Sequence, residues 1–177
     1  MPNWCQNHLD IQSKNLAEIM EAITENGDIS FNKFIPMPKE LEGTISPTTE
    51  KNRELIKKYG ADNWFDWRLM NWGVKWDASE TEWVQPFEVI FKTPWGPAIP
   101  VFVRLSKKFP DAKIKLQFAD EFSGQFPLGQ ANIKNGVAKI FGPKECSKRA
   151  QEIAEQIWSG QWAKIRKTKE DTMTYEK

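Results

Sequence analysis

The chain has 177 residues, among them nine tryptophans, and its charges nearly cancel, with 25 Lys and Arg against 24 Asp and Glu. A chain of this length can bury a core of its own without disulfides or metals. The balanced charge excludes a field that would recruit nucleic acid from a distance, so a general nucleic-acid coat is disfavoured. No apolar stretch approaches the ~20 residues that cross a bilayer, which excludes an integral membrane protein.

The two cysteines and the single histidine limit the chemistry further. Cys5 and Cys146 lie far apart, and the opening Met-Pro-Asn-Trp carries no basic segment followed by an apolar run. We therefore expect a cytoplasmic protein with reduced thiols. Cys5 and His8 form a Cys-x-x-His on a predicted strand, where residues three apart face opposite sides, so we predict no metal site and place His8 on the outer sheet face.

The first part of the chain has the pattern of a β-α-β unit. Alternation over residues 3–11 predicts a strand. Its core face carries Cys5, Asn7, Leu9 and Ile11. Asn15 and Glu18 predict a capping box for a helix that stops at Asn26-Gly27. Residues 29–35 are then predicted as a second strand, ended by Pro36-Met37-Pro38.

A helical segment is predicted next, followed by a second β-α-β unit. Helices are expected over residues 49–59, closed by Gly60, and from Asp62 to Asn71, before Gly73. Residues 87–92 and 114–118 alternate as a third and a fourth strand. The helix between them has an apolar stripe of Ala98, Val101, Phe102, Leu105 and Phe109. The order β-α-β, insertion, β-α-β is typical of the ferredoxin-like pattern.

The C-terminal part predicts a hairpin and a last helix. Lys134-Asn135-Gly136 contains the Asn-Gly pair that favours a tight hairpin turn. The last helix has an inner face of Ala150, Ile153, Ala154, Ile157 and Trp158, and Gly160 closes it. The sequence leaves open whether these elements cover the second face of the sheet or extend its edge.

We therefore predict an α+β protein with a four-stranded antiparallel ferredoxin-like sheet. Residues 1–163 form a single domain, with a Trp-rich helical insertion at 40–84 and a C-terminal extension, a β-hairpin plus helix, at 124–160. The polar tail, residues 164–177, is expected to be disordered because it offers little apolar surface to bury.

Several motifs, in this order, resemble the YubB-type ferredoxin-like domain proteins of plasmids and phages. They are Met-Pro-Asn-Trp-Cys-x-Asn-x-Leu-x-Ile at the start, Pro36-Met37-Pro38, Tyr59-Gly60 before Trp64-x-x-Trp67-Arg68, Asn71-Trp72-Gly73-x-Lys75-Trp76-Asp77, Thr93-x-Trp95-x-Pro97 and Leu105-Ser106-x-x-Phe109-Pro110. The resemblance covers residues 1–130 and fades beyond Gly129. It implies the ferredoxin-like sheet and a mobile-element origin, and it supplies no catalytic residues.

Four of the tryptophans fall within residues 64–76, and this cluster has two interpretations. It can be a packed lid, because buried indoles supply large contact areas. Alternatively, one or two indoles rim a pocket in which Arg68 and Lys75 face π systems, and Trp95-Gly96, ahead of a helix, offers N–H donors to an anion. The candidate binding residues are Trp64, Trp67, Arg68, Asn71, Trp72, Lys75, Trp76 and Trp95.

The second face of the predicted sheet is the other candidate surface. It carries Trp4, His8, Lys92, Lys113 and Lys115. Three lysines could meet phosphates, but the aromatic pairs on which RNA-recognition domains stack bases are missing.

No catalytic constellation is recognisable. Hydrolase, zinc-protease and P-loop signatures are absent, and the acidic pair Asp120-Glu121 points to opposite sides of a strand end. We therefore predict a non-enzymatic phage or plasmid accessory protein without a cofactor, which docks on a host or element-encoded protein and modulates a host defence. The alternative is a nucleotide or single-stranded nucleic-acid binder that uses a Trp/Arg/Lys pocket, and an enzyme is the third hypothesis. The sequence indicates no oligomeric state.

Overall fold

The protein has a seven-stranded antiparallel sheet with helices on both faces. The computed structural model describes residues 3–47, 51–122, 124–165 and 172–176. The strands are β1 (Trp4–Gln12), β2 (Thr24–Glu25), β3 (Asp28–Ile29), β4 (Ser79–Gln85), β5 (Glu88–Pro94), β6 (Lys113–Asp120), β7 (Leu128–Lys134), β8 (Val137–Phe141) and β9 (Thr172–Glu176). The helices are α1 (Leu16–Ile23), α2 (Phe31–Phe34), α3 (Arg53–Tyr59), α4 (Trp64–Trp72), α5 (Ile99–Lys108) and α6 (Lys148–Trp158), with a 3-10 turn at Lys39–Leu41.

The ferredoxin-like part consists of β1, α1, β4, β5, α5 and β6. Its strands follow the order β4-β5-β1-β6, so the first strand of the chain lies between β5 and β6. Cys5, Leu9 and Phe91 point to the first face, where they are fully buried against α1 and α5. The predicted α+β class with a ferredoxin-like sheet is confirmed.

The predicted second strand at residues 29–35 is wrong. Residues 28–29 pair only with residues 24–25, in a small separate hairpin whose turn is Asn26-Gly27. A helix follows because Ser30 caps it through Lys33 N and because the Asp77 carboxylate accepts the N–H of Asn32. The second strand of the ferredoxin-like pattern is β4 instead, which the sequence analysis had placed in the insertion.

Helix caps differ in detail from the predictions. Asn15 makes no capping bond, and its amide donates to Asp111 at 3.2 Å. Asn63, not Asp62, caps α4 by accepting the N–H of Asp66 at 2.9 Å. A helix is predicted for residues 49–59, and the structure has α3, which begins at Arg53. Residues 49 and 50 lie outside the described residues.

The C-terminal elements both extend the sheet and cover it. The hairpin of β7 and β8 turns at Asn135 and Gly136, with φ of 49° and 79°, and continues the sheet beyond β6. Helix α6 packs on the second face through Ile153 and Ile157.

The prediction of a disordered tail is wrong for residues 172–176. They form β9, which pairs with β8 from Val137–Glu176 to Phe141–Thr172. The unpaired edge of β8 provides the hydrogen-bonding groups that this polar segment needs, so main-chain pairing does not depend on apolar composition. Residues 166–171 and 177 lie outside the described residues.

Among the helices that the structure describes, none has both the length and the apolar character that crossing a membrane requires.

Candidate functional site

Aromatic side chains gather at one end of the sheet, where β1 begins and β5 and β6 end. The register pairs Trp4 with Pro94 and Cys5 with Asp120. The loop after β6 returns to the same end, since Asp120 N donates to Pro127 O at 2.9 Å. We call this region the aromatic end and define it by Trp4, Trp64, Phe65, Trp76, Trp95, Phe122 and Phe126. The topology therefore unites residues that are far apart in the chain.

Two tryptophans of α4 are core residues. Trp67 is 6% exposed and Trp72 is 1% exposed. The Trp72 indole donates to Ile35 O at 3.0 Å, and its ring meets Phe31 edge-on at 6.2 Å. Because the insertion is anchored in this way, the packed-lid interpretation describes Trp67 and Trp72.

The side chain of Asn71 is also buried and hydrogen-bonded within the protein. Its side-chain amide donates to Trp67 O at 2.8 Å, and its Oδ1 accepts from Arg104 at 2.6 Å. The structure thus removes Asn71, together with Trp67 and Trp72, from a surface that could contact a ligand.

Lys75 lies at the centre of the remaining indoles. Its Nζ is 4.6 Å from the Trp76 ring centre, 5.3 Å from that of Trp95 and 6.0 Å from that of Trp64. In the part of the chain that the structure describes, no carboxylate lies within ion-pair distance of Lys75. The ring quadrupoles stabilise this ammonium group, and its charge is left for an external anion.

Arg68 is less accessible than the sequence suggested. Its guanidinium group lies 5.2 Å from the Trp64 ring centre and 5.0 Å from that of Trp72, and Nη1 donates to Lys75 O at 3.4 Å. Burial lowers the pKa of Arg68, while Asp77 and Glu42 oppose that shift. Arg68 is therefore a structural cation between the buried Trp72 and the partly buried Trp64.

The predicted anion site ahead of α5 is already occupied by internal bonds. Trp95, with φ of 66°, donates its N–H to Asn3 O at 2.9 Å. The N–H groups of Ile99 and Val101 donate to Pro97 O and Ala98 O, and Pro100 has no N–H to offer. The structure does not bring these donors together for a ligand.

The second face of the sheet is covered over its centre, contrary to the expectation of an outward-facing His8. His8 is 1% exposed and stacks on Trp162, with ring centres 3.9 Å apart. Gln6 Nε2 donates to Ile157 O at 2.7 Å, and Gln117 exchanges two hydrogen bonds with the backbone of Ala163. No strong signal in the sequence indicated this cover, because Trp162 lies where the resemblance has already faded.

Two titratable groups near the aromatic end, Asp120 and Cys5, are bonded or buried. Asp120 accepts the N–H of Phe122 at 2.9 Å, and burial raises its pKa. Burial, and next to it Asp120, raises the pKa of the Cys5 thiol, which keeps that thiol protonated. Within the described ranges, no three His, Cys, Asp or Glu side chains are grouped to hold a metal ion.

The exposed phenylalanines are the residues that the sequence analysis missed. Phe122 is 50% exposed and Phe126 is 65% exposed, in the loop between β6 and β7. A signal was available for Phe122, since a phenylalanine directly before Ser123-Gly124 has no predicted core face to occupy.

A family model described as the ferredoxin-like domain in Api92-like protein matches residues 71–176, more than half of the chain. The match extends from the end of α4 to β9 and so includes the C-terminal hairpin and α6. No curated protein and no solved structure matches the chain.

Proposed function

The chain belongs to the family of the ferredoxin-like domain in Api92-like protein, and we propose that it is a non-enzymatic binding protein that docks on another protein through its aromatic end. One observation carries this proposal. Trp95, Phe122 and Phe126 are 45%, 50% and 65% exposed at the same end of the sheet, although the chain buries an extensive core elsewhere. Exposed clusters of large apolar side chains mark interaction sites, and buried aromatics are frequent energetic anchors of interfaces.

The charge at the aromatic end indicates the chemistry of the partner. Lys75 presents an ammonium group without a carboxylate partner in the described residues, beside the exposed Trp95 ring. A partner that inserts an apolar side chain next to an acidic one would match both features, since complementary charges set the register of an interface.

The biological setting is part of the same proposal. The motifs in residues 1–130 resemble those of plasmid and phage proteins, which supports an accessory protein of a mobile element. Such a protein would dock on a host or element-encoded protein, and modulation of a host defence is the role we propose for it.

Nucleotide binding at Lys75 is the second candidate function. It is favoured because the exposed Trp95 and the partly buried Trp76 accompany a cation and do not form an uncharged patch. It is weaker than docking because Lys75 already uses the ring faces on which a base would stack. An enzyme is the least supported candidate, since the carboxylate of Asp120 is engaged by the N–H of Phe122.

The docking proposal can be tested with a double substitution, Trp95→Ser with Phe126→Ser. The tagged protein is incubated with lysate of a bacterial host, and the retained proteins are quantified by mass spectrometry. Ile45→Ser with Val84→Ser is the matched control, because Ile45 and Val84 are 77% and 48% exposed at other places on the surface. A partner should be retained by the wild type and the control, be lost with the double variant, and bind again as a purified protein.

The same experiment decides against docking if the two double variants retain the same proteins as the wild type.

The nucleotide candidate has its own test, in which nucleotides are added to the protein at low salt and its tryptophan emission is measured. Stacking on an indole should quench that emission in the wild type, and Lys75→Gln should abolish the quenching while Lys51→Gln preserves it. Excess absorbance near 260 nm in the purified protein would point to a bound nucleotide before any titration.

A further inference from the structure

A basic groove lies at the end of the sheet opposite the aromatic end. It occupies the second face where β6 and β8 begin and β7 ends, beyond the area that α6 covers, and its volume is about 910 Å³. We define it by Asp10, Lys113, Lys115, Asn132, Lys134 and Lys139. None of these residues belongs to the aromatic end, so the groove is independent of the docking proposal.

The strand register explains why four lysines converge there. Lys115 pairs with Asp10 on one side and with Asn132 on the other, and Asn132 pairs with Lys139. One step beyond the Ile114–Ile133 pair, the same register places Lys113 opposite Lys134. Because alternate residues of a strand share a face, the four lysines project from one side of three adjacent strands.

The positive charge of the groove is balanced only in part within the described residues, where Asp10 lies opposite Lys115. Lys113, Lys134 and Lys139 are exposed and make no ion pair there, while Lys115 lies 3.6 Å from the ring centre of Trp162. Asp10 is the one carboxylate among the lining residues, and burial raises its pKa. Like charges directly opposite each other in a ladder destabilise a sheet, so the Lys113–Lys134 pair costs stability that an anion would restore.

We propose that the basic groove binds the phosphate backbone of single-stranded nucleic acid. Lysines two residues apart on a strand are about 7 Å apart, and those on β6 and β8 are about 10 Å apart, so the charges form an extended array and not a point. Lysine binds phosphate as a flexible point charge. The groove therefore suits a ligand that carries one negative charge per repeating unit.

The sheet geometry disfavours an acidic peptide as the occupant. Peptides bind sheets most effectively by adding main-chain hydrogen bonds to a free edge. Each of β1, β6, β7 and β8 is paired on both sides, so the groove floor offers no free edge. Contact with Lys115 and stacking with His8 already engage the Trp162 ring, so we expect recognition of the backbone with little sequence preference.

Fluorescence anisotropy with a labelled oligothymidylate of about 15 nucleotides tests the proposal, within the size range that single-strand binding sites cover. Lys113→Gln with Lys134→Gln should weaken binding at least tenfold at low salt. The slope of log K against log salt should fall by about 1.4, because each phosphate contact on a single strand contributes about 0.7. Lys51→Gln with Lys57→Gln removes the same charge from exposed positions in and before α3, and it should leave affinity nearly unchanged.

A gain of affinity provides a readout that misfolding cannot mimic. Asp10→Asn removes the carboxylate from the groove and should tighten binding of the same oligonucleotide. The proposal is overturned if the wild type does not bind at about 50 mM salt, the low end of the range in which phosphate contacts are strong, or if the two lysine double variants lose affinity equally. It is also overturned if polyglutamate of equal charge displaces the oligonucleotide as well as an unlabelled strand does.

Discussion

Asn7 shows how one buried amide fixes the start of the aromatic end. The residue is fully buried, and Nδ2 donates to Thr93 Oγ1 at 2.7 Å and to Cys5 O at 3.0 Å. Thr93 in turn donates to Gly96 O at 2.6 Å. The sequence predicted that Asn7 lies on the core face of its strand, and its hydrogen-bond partners lie on β1 and β5.

Replacement of Asn7 by Leu should lower the free energy of unfolding by about 1–3 kcal/mol, because acceptors in the core lose their donor. Urea denaturation followed by circular dichroism measures this change. Thr93→Val should destabilise the protein too, and the two effects should not add, since both changes break the same chain of hydrogen bonds. An Asn7→Leu variant as stable as the wild type would refute the role assigned to the amide.

His8 should make the protein sensitive to mild acid. Burial lowers its pKa, Lys115 lowers it further, and Glu88 acts in the opposite direction. Below the ordinary histidine pKa of about 6.5, the unfolded chain takes up a proton that the folded chain resists, so stability falls as the pH drops. His8→Phe keeps an aromatic ring against Trp162 without a titrating group.

The unfolding free energies of the wild type and His8→Phe should be compared at several pH values from about 7.5 down to 5.5, a range that brackets the ordinary histidine pKa. The wild type should lose stability relative to the variant across this range. A constant difference between the two proteins would show that His8 does not carry the effect, whatever Asp10 and Asp120 contribute to both.

At the scale of elements, α6 holds the second face of the sheet closed. Ile157 is fully buried, and the Trp158 indole donates to Asp120 O at 2.8 Å. Ile157→Ala should therefore cost about 2–5 kcal/mol, as for other buried aliphatic truncations. Thermal or urea unfolding measures the loss. Glu155→Ala, an exposed change in the same helix, should stay within about 0.5 kcal/mol of the wild type, and equal effects of the two would contradict the packing described.

The strand β9 should protect the sheet edge. Deletion of residues 172–177 removes the outer of the two strands that pair with β8 and the partly buried Tyr175 that packs against the core. We expect a lower melting temperature and a concentration-dependent shift to larger species in size-exclusion chromatography, because an uncovered edge can pair with another chain. A truncated protein that elutes and melts like the wild type would contradict this role.

The elements that the sequence predicted well are those with a local signal. The periodic stripe of α5 and the Asn135-Gly136 turn needed no information from distant residues. The strand prediction for residues 29–35 was wrong because their conformation depends on Asp77, which lies 45 positions from Asn32 and accepts its N–H. The strand β9 was not predicted for a similar reason, since its polar sequence forms a strand by pairing with β8.

At the scale of the molecule, we expect limited proteolysis to spare the tryptophan cluster. Trp67 and Trp72 anchor α4 in the core, whereas Ile45 is 77% exposed in the preceding segment. A nonspecific protease should cut first within residues 42–50 or after Lys164, and the masses of the early fragments identify the sites. Residues 48–50 and 166–171 lie outside the described residues. Early cleavage within residues 64–76 would contradict the packed insertion.

The candidate sites were harder to predict than the fold because strands from distant parts of the chain build them. The sequence grouped Lys75 with Trp64 and Trp76, since those residues are near one another in the chain. It paired Lys113 with Lys115 but not with Lys134 and Lys139, which join them only through the β6-β7-β8 register. The net charge of +1 conceals this local concentration of positive charge.

The central position of β1 has a consequence for synthesis on the ribosome. This strand is made before its ladder partners β5 and β6, which span Glu88–Pro94 and Lys113–Asp120, so the ladders are complete only when residue 120 has been made. Long-range pairing of this kind slows folding and exposes apolar surface in the meantime. Leu9 and Ile11 of the nascent chain therefore lack their sheet partners until β6 has been made, and we expect ribosome-bound chains that stop before β6 to recruit chaperones.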